Sequence, residues 1–327
     1  MKKTLLIFIT IFMIICTFTG CQKQENRVVI YSSMEEERNQ ALIEQLKTEF
    51  PDLDVVVQHI ATGNCAAKIK NEGSNTEADI ILGLATSYVR DTQDNFADIS
   101  NFDTSNYLEN VNNTKNYLIW EKYTMTIIID KNYFDKNNLP IPHSYEDLLN
   151  PLYKDLIAMS DPKTSGTGYG FFLNAVNVMG EDQAVEYFKK LKENIREFST
   201  SGSGPTNLLK QGEVAIALGM VAQGVHAINE GYDFEIVPLD TGVVYNTCAY
   251  GIIKGKEDNE NVQRVFDWLI HSFNKYDKEH FMPSKILKDQ HSQIPNYPDD
   301  LQDGDMTGIE STERMQELLT RWAEING

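Results

Sequence analysis

The sequence predicts an α/β protein built of two lobes. Segments rich in β-branched residues alternate with amphipathic segments of helical length, which is typical of βαβ units. About 300 residues remain after the amino-terminal leader, and a single core is near its practical limit at that length. Turns dense in glycine and hydroxyl residues follow several strands, where ligands bind in open sheets of this class.

The amino terminus has the pattern of a secretory signal. Two lysines precede an apolar run over residues 5–18, which is too short to span a membrane comfortably. The Gly20-Cys21 pair resembles the bacterial lipoprotein cleavage box. This resemblance implies a signal peptide over residues 1–20, a lipidated Cys21 and a polar tether over residues 21–26. An ordinary signal peptide that is cut nearby is the alternative.

The chain is acidic, with a formal net charge of −19. Cleavage after Gly20 removes two lysines and no acid, which takes the net charge to −21. Such a surface disfavours nucleic acid and electrostatic adhesion to anionic lipid, so we expect membrane attachment through the acyl chains at Cys21. A local group of backbone N–H donors still binds an anion inside an acidic protein.

Two cysteines, Cys65 and Cys248, follow Cys21 in the chain. Two separated cysteines make neither a disulfide framework nor a spaced zinc signature. They either pair in an oxidising compartment or serve as small core residues. The sequence leaves both alternatives open.

Three predicted strands of the first lobe end in small polar residues. They span residues 27–31, 53–60 and 79–84, with helices at 35–50 and 65–72 and a turn at residues 62–64. The carboxyl ends of parallel strands meet at one edge of a sheet, so we expect the residues after them to lie together. They are Ser32, Ser33, Thr62, Gly63, Thr86 and Ser87.

The middle of the chain begins a second lobe. Polar residues 101–116 are expected to run over the surface, and a strand at 123–129 to cross into the second lobe. Ser144 and Asp147 have the spacing of a capping box at a helix start. The other predicted elements are helices at 169–178, 181–194, 206–211, 226–229, 261–273 and 313–325, and strands at 156–159, 213–219, 234–238 and 250–254.

The most informative stretch is residues 160–170, SDPKTSGTGYG, between a predicted strand and a helix. Its glycines permit backbone angles that a side chain forbids, so N–H groups are able to converge beside the hydroxyls of Thr164, Ser165 and Thr167. The helix N-terminus adds partial positive charge. The turn suits a phosphate, a carboxylate or a similar oxyanion. A tight turn with a helix N-cap is the alternative.

A second turn of the same composition covers residues 199–205, STSGSGP, again just before a helix. Ser201 and Gly202 lie at its centre. A ligand-binding role and a solvent-exposed loop are both consistent with this composition.

The chain resembles the substrate-binding proteins of ABC importers. The similar segments are VIYSSMEE at 29–36, EADII at 77–81, DPKTSGTGY at 161–169, QGEVAI at 211–216 and IIKG at 252–255. They resemble the branch of ferric-ion, 2-aminoethylphosphonate and hexose-phosphate binders. The resemblance covers essentially all of the mature chain and implies a hinged, periplasmic-binding-protein-like fold of type II. Each lobe would hold a mixed, mostly parallel sheet flanked by helices, with two crossovers at the hinge.

We expect lobe one to comprise residues 27–120 and 245–295, and lobe two residues 121–244 and 296–327. The resemblance implies a monomer that hands its solute to an ABC permease and its ATPase. The expected location is extracytoplasmic, on the bacterial cell membrane or its periplasmic face, with the lipid anchor at Cys21.

The type of ligand is argued from individual positions. Ferric-ion binders of this branch supply a tyrosine pair after the strand that matches residues 214–219, whereas residues 220–223 here read MVAQ. Sugar-phosphate binders carry a His-Asp pair near Ala222 and a glutamate near Asn246. The anion-binding turn is thus kept without the charged groups that grasp a sugar, which favours a phosphorylated or phosphonate-type organic anion. A ferric ion is the alternative.

The predicted site uses neutral donors, with neither a metal nor a cofactor. Lobe one and lobe two would close on the anion, and further residues would contact the organic part of the ligand. The anion-binding residues are Ser32, Ser33, Thr62, Gly63, Thr164, Ser165, Gly166, Thr167, Ser201 and Gly202, and those for the organic part are Gln223, Tyr245 and Asn246.

Two other classes of protein use similar lobes. A transferase-type enzyme is one alternative, but the sequence has no Gly-x-Ser-x-Gly, His-Glu-x-x-His or Gly-x-x-x-x-Gly-Lys-Ser/Thr motif. We therefore predict no enzymatic activity. A surface adhesin or signalling receptor is the other alternative.

Overall fold

The strands of this computed structural model join into one mixed sheet. The structure describes residues 26–109, 111, 113–291, 294–298 and 301–325, so the predicted signal peptide and Cys21 lie outside the described residues. The strands are β1 (Arg27–Ser32), β2 (Asp54–His59), β3 (Ile80–Ala85), β4 (Leu118–Asp130), β5 (Ile157–Ser160), β6 (Ile195–Ser199), β7 (Ile216–Met220), β8 (Phe234–Val237) and β9 (Val244–Ile252).

The strand order is β2-β1-β3-β9-β4-β7-β5-β6, and β8 pairs with β4. The outer strands pair in parallel, β1 with β2 and β3 and β5 with β6 and β7. The central strands are antiparallel, since β4 pairs with β7, β8 and β9, and β9 with β3. β4 and β9 therefore connect the two groups of parallel strands, as expected for two crossovers.

Helices pack against both groups of parallel strands. None of the helices in the described part of the chain is long and apolar enough to cross a membrane. They are α1 (Glu36–Glu49), α2 (Thr62–Glu72), α3 (Thr86–Asp91), α4 (Lys131–Asn137), α5 (Gly166–Met179), α6 (Glu181–Leu191), α7 (Gly204–Lys210), α8 (Val221–Asn229), α9 (Glu260–Trp268), α10 (Asn274–His280) and α11 (Thr312–Ala323), with a π-helical turn at Leu269–Phe273 and 3₁₀ turns at Gly73–Asn75, Gln93–Asn95, Asp147–Leu149 and Pro151–Tyr153.

Several elements begin earlier than predicted, with β4 at Leu118, α8 at Val221 and β9 at Val244, and three further local predictions differ from the structure. The predicted turn at residues 62–64 is the first turn of α2. The capping box forms, since Asp147 N donates to Ser144 Oγ at 3.1 Å and the Asp147 carboxylate accepts from Ser144 N at 3.0 Å, but only one 3₁₀ turn follows. Tyr107, in the stretch expected on the surface, is buried with its hydroxyl 2.8 Å from that of Tyr250. Tertiary packing decides these positions, not local propensity.

Helix α11 is attached by an aromatic cluster. The Trp322 ring lies 5.1 Å from Phe172, 5.3 Å from Phe188 and 5.7 Å from Phe198, centroid to centroid, in edge-to-face arrangements. Its indole Nε1 donates to Asp161 Oδ1 at 3.1 Å. The carboxyl-terminal helix therefore supports the start of the stretch at residues 160–170.

A buried charge cluster connects α1, β4 and α10. The Arg38 guanidinium donates to Asp277 at 2.6 and 2.7 Å, to Glu35 at 2.9 Å and to Glu121 at 2.5 Å. Lys278 Nζ lies 2.5 Å from Asp277 Oδ2 and 4.5 Å from the centre of a tryptophan ring. Three carboxylates thus face two cations, and the five side chains carry a formal charge of −1. We call them the Arg38 cluster.

We expect Arg38→Met to destabilise the fold by about 3–5 kcal/mol, because it leaves the buried carboxylates of Glu121 and Asp277 without the guanidinium that they share. Urea unfolding followed by circular dichroism measures this change. The matched control is Arg264→Met, whose pair with Asp52 is about half exposed and should be worth less than about 1 kcal/mol. Equal losses in the two variants would contradict a structural role for the cluster.

Candidate ligand-binding site

A small cavity lies where the two groups of parallel strands face each other across β4 and β9. Its volume is about 50 Å³. We call it the inner cavity. Its walls come from the segment after β1 and from β2, α2 and β3 on one side, from the turns before α5 and α7 on the other, and from β4 and β9 beneath.

The turn before α5 forms one wall, but Gly166 and Gly168 already lie within the helix and neither has a positive φ, so the unusual backbone angles expected at these glycines do not occur. Ser165 is the N-cap of α5 and its hydroxyl accepts from Gly168 N at 3.5 Å. A Cβ at Gly168 would lie 2.2 Å from Ser160 O, so only glycine lets the helix begin this close to β5. Thr164, Ser165, Gly166 and Thr167 all line the cavity.

The turn before α7 completes this wall. Ser160 and Ser199 both donate to Ser201 O at 3.0 Å, which fixes the turn against the ends of β5 and β6. A Cβ at Gly202 would lie 2.5 Å from Thr167 Oγ1, so the two glycine turns are in direct contact. Ser201, Gly202 and Ser203 line the cavity.

The opposite wall comes from the segment after β1 and from α2, and it touches the turn before α5. Ser33 and Thr62 line the cavity; the Ser33 hydroxyl donates to Ile60 O at 2.8 Å, and the Thr62 hydroxyl accepts from Ala85 N at 3.1 Å. Gly63 N donates to Thr164 O at 3.2 Å. This bond between α2 and the turn before α5 joins the two opposite walls directly beside the cavity.

The structure gathers most of the predicted site residues around one cavity. Ser32, Gly63 and Asn246 lie just behind the walls; the Ser32 hydroxyl accepts from Met34 N at 3.2 Å, and Asn246 Nδ2 donates to Gly166 O at 3.3 Å. Tyr245 does not line the inner cavity; the ammonium of Lys122 lies 4.2 Å from its ring centre. The predicted residues that line the inner cavity are Ser33, Thr62, Thr164, Ser165, Gly166, Thr167, Ser201 and Gly202.

Sequence reasoning missed the strand residues of the cavity floor. Glu121 and Tyr123 line it from β4, and Cys248 from β9, where it pairs with Glu121. Burial raises the pKa of Tyr123 well above its usual value, although the Thr167 hydroxyl lowers it in part. The alternation of strand side chains places residues 121 and 123 on one face, which is the signal that could have identified them.

Two carboxylates face the hydroxyl-rich wall. Glu35 and Glu121 line the cavity, and both belong to the Arg38 cluster. Burial raises the pKa of Glu121, with Arg38 and Lys278 opposing this shift. Burial also acts to raise the pKa of Asp277, but Arg38 and Lys278 together lower it below its usual value. The cluster's cations are thus engaged with protein carboxylates.

A larger cleft opens from the inner cavity toward solvent. This outer groove has a volume of about 950 Å³ and shares Glu35, His59, Ser201 and Ser203 with the cavity. Helix α1 forms one side, and α7 and α8 form the other. Gln223, predicted to contact the organic part of a ligand, lies in this groove. Among the described residues, no group of three or more His, Cys, Asp or Glu side chains is placed to hold a metal ion.

Comparison with known proteins identifies the family and the fold of this chain. The family described as bacterial extracellular solute-binding protein matches residues 75–272, more than half of the chain. The chain belongs to this family. The periplasmic binding protein AfuA from Actinobacillus pleuropneumoniae, with exogenous fructose-6-phosphate bound, superposes with a TM-score of 0.79 at 20% identity, over 91% of this chain and 98% of that one. The predicted two-lobed periplasmic-binding-protein fold is confirmed.

Two relatives are similar in sequence. The putative 2-aminoethylphosphonate-binding periplasmic protein of Salmonella typhimurium is 22% identical over 66% of this chain, and the thiamine-binding periplasmic protein of Brucella abortus is 27% identical over 51% of it. The matches cover 65% and 50% of the relatives' own lengths, which is less than two thirds of each. Both relatives are named as binding proteins. These names agree with the prediction that this chain is not an enzyme, but they do not test it directly.

We expect both buried cysteines to resist alkylation in the native protein. Cys65 and Cys248 are free thiols, and burial raises the pKa of Cys65 to about 12 and that of Cys248 well above its usual value. Iodoacetamide reacts with the thiolate. Mass spectrometry of protein expressed from residue 22 should show no label at pH 8 and two labels in guanidinium without reductant. Rapid native labelling, or no labelling after unfolding, would contradict this state of the thiols.

Proposed function

We propose that this protein is the solute-binding component of an ABC importer and captures a small phosphorylated or phosphonate-type organic anion. The predicted lobes, residues 27–120 with 245–295 and residues 121–244 with 296–327, would close on the ligand by a hinge motion. The comparisons support solute binding, and the nature of the ligand rests on the inner cavity.

The observation that carries the proposal is the wall of neutral donors at the start of α5. Thr164, Ser165 and Thr167 present hydroxyls there, and the helix N-terminus adds N–H groups with partial positive charge. Each hydrogen bond to a charged group contributes about 1.5–3 kcal/mol, so a few such bonds suffice to hold an oxyanion in a water-excluded cavity. The ligand's organic part would extend into the outer groove against Gln223.

Delivery of the ligand requires partners outside this chain. An ABC permease and its ATPase would accept the solute, and the acyl chains at Cys21 would keep the monomeric protein at the outer face of the cell membrane. The predicted leader and the family assignment support this location.

The test is isothermal titration calorimetry with inorganic phosphate, ethyl phosphate, phosphonates, a hexose phosphate and ferric citrate. We expect micromolar or tighter binding of at least one phosphate or phosphonate. Mass spectrometry of whatever small molecule copurifies gives an independent identification. Tight binding of ferric ion without any phosphate or phosphonate would favour the iron-transport alternative, and turnover of a bound ester would favour a transferase-type enzyme.

Thr164→Val should weaken binding of the tightest anion in that panel about tenfold or more, because it replaces a cavity hydroxyl by a methyl group of similar size. Calorimetry measures the dissociation constant. The control is Thr320→Val on exposed α11, which should leave the affinity unchanged. An unchanged affinity in Thr164→Val would show that the Thr164 hydroxyl does not bind the anion.

Gly63→Val should prevent full closure. A Cβ at this position would lie 2.8 Å from Lys163 O and 3.0 Å from Thr164 Cα, in the backbone of the facing turn. Small-angle X-ray scattering should show a smaller radius of gyration for the wild type when the anion is added, and little change for this variant. Asn64→Ala, at an exposed neighbour on α2, is the control. Equal compaction of Gly63→Val and wild type would contradict closure at this contact.

A further inference from the structure

A carboxylate on the floor of the inner cavity faces the place where the anion would lie. Glu121 lines the cavity from β4, and its side chain is only 5% exposed. The cavity has a volume of about 50 Å³, so an oxyanion that fills it contacts every wall. An ionised Glu121 would then meet a second negative charge without intervening water, and like charges in contact repel each other strongly in a buried site.

The Arg38 cluster, to which Glu121 belongs, has too few cations for its carboxylates. Three carboxylates face two cations, which leaves a formal charge of −1. A net charge is costly to bury, and one added proton makes the cluster neutral. Because these groups are in contact, they titrate as a unit. The cluster therefore has a place for one proton directly beside the cavity.

Glu121 is the member of the cluster best placed to carry that proton. Asp277 accepts from Arg38 at 2.7 and 2.6 Å and from Lys278 at 2.5 Å. Burial acts to raise the pKa of Asp277, but these two cations lower it below its usual value. Glu121 has one 2.5 Å contact with Arg38 and lies 3.8 Å from Lys278, and burial raises its pKa against their opposing effect. The third carboxylate, Glu35, is more exposed, at 16%.

Other titratable groups also lie near Glu121 or line its cavity. Burial raises the pKa of Tyr123 on the same strand and that of Cys248 opposite on β9, so both are uncharged at neutral pH. Burial likewise raises the pKa of Tyr297, and the charge of Glu121 adds to this shift. His59 lines the cavity from the end of β2 and is exposed. Its titration has to be separated from that of Glu121 by experiment.

We propose that Glu121 binds the anion as a carboxylic acid, which donates its hydrogen to the oxyanion held at the start of α5. When the ligand is a dianion, the proton comes from the buffer. A ligand that carries an acidic hydrogen donates it to the ionised carboxylate instead, which gives the same complex. This inference rests on the proposed function. It makes Glu121 a specificity-determining residue that favours phosphate and phosphonate over sulfate.

An anion in contact with Glu121 would raise the pKa of this carboxyl further. Binding is then strongest below the pKa of the free carboxyl and weakens as the pH rises toward the pKa in the complex. Between these two values one proton is taken up for each dianion, and the affinity falls about tenfold for each pH unit.

Isothermal titration calorimetry in PIPES and in Tris at pH 7.5 measures the proton uptake, because the two buffers differ in ionisation enthalpy. Each phosphate ester and phosphonate of the panel above that binds is titrated; the esters are mostly dianionic there, since their second pKa is about 6. We expect an uptake of about one proton per dianion, and about tenfold weaker binding at pH 8.5. Binding without proton uptake would overturn this inference and keep the proposed function. Binding of no phosphate or phosphonate would overturn the proposed function itself.

Glu121→Gln should bring the proton uptake close to zero. The amide donates a hydrogen without titrating, so the affinity should change about twofold or less between pH 7.5 and 8.5. The control is Glu44→Gln, which removes the same charge from an exposed position of α1 outside the cavity and should keep the full uptake. Uptake that persists in Glu121→Gln would assign the proton to another group, such as His59, and contradict the role of Glu121.

Selection against sulfate is tested in the wild-type protein alone. Sulfate and the hydrogen phosphate dianion have the same charge and shape, but only hydrogen phosphate carries an acidic hydrogen. In competition with the tightest ester at pH 8, inorganic phosphate should displace the ester at a concentration about tenfold lower than sulfate does. Equal displacement by the two anions, or stronger displacement by sulfate, would contradict selection by Glu121.

Discussion

The antiparallel pairing of β4 with β9 is the constraint on which the site depends. These strands connect both groups of parallel strands, and their register sets Tyr123 opposite Asn246. Asn246 in turn donates to Gly166 O, so the backbone pairing positions the turn before α5. Because Glu121 and Tyr123 lie on the same strand face, the floor of the cavity follows from the same pairing.

No lysine or arginine is among the described residues that line the inner cavity, and the nearby cations are used in the fold. Arg38 is bound by three carboxylates, and Lys278 pairs with two of them, those of Asp277 and Glu121. Such a cluster orients α1 against β4 and α10 at a large cost in desolvation. An anion bound in the inner cavity, as proposed, would have to be held by hydroxyl and amide donors, which the glycine-rich turns provide.

Much of the fold and one wall of the site could be predicted from the sequence because their signals are local. Glycine and hydroxyl residues between a strand and a helix mark the turn before α5, and hydrophobic periodicity marks the main helices. The contacts of Arg38 with Glu121 and Asp277 could not be predicted, because these residues lie 83 and 239 positions after Arg38 in the chain. Nor could local propensity show that α2 begins at Thr62, where contact with lobe two holds the chain.

The hydrogen bond from Trp322 to Asp161 connects a fluorescent side chain to the turn before α5. The indole is fully buried among phenylalanine rings, and its Nε1 contacts Asp161, the acidic residue of the turn before α5. Indole emission depends on the polarity and hydrogen bonding around the ring. Under the proposed function, anion binding at this turn would therefore alter the emission of a tryptophan that is itself buried.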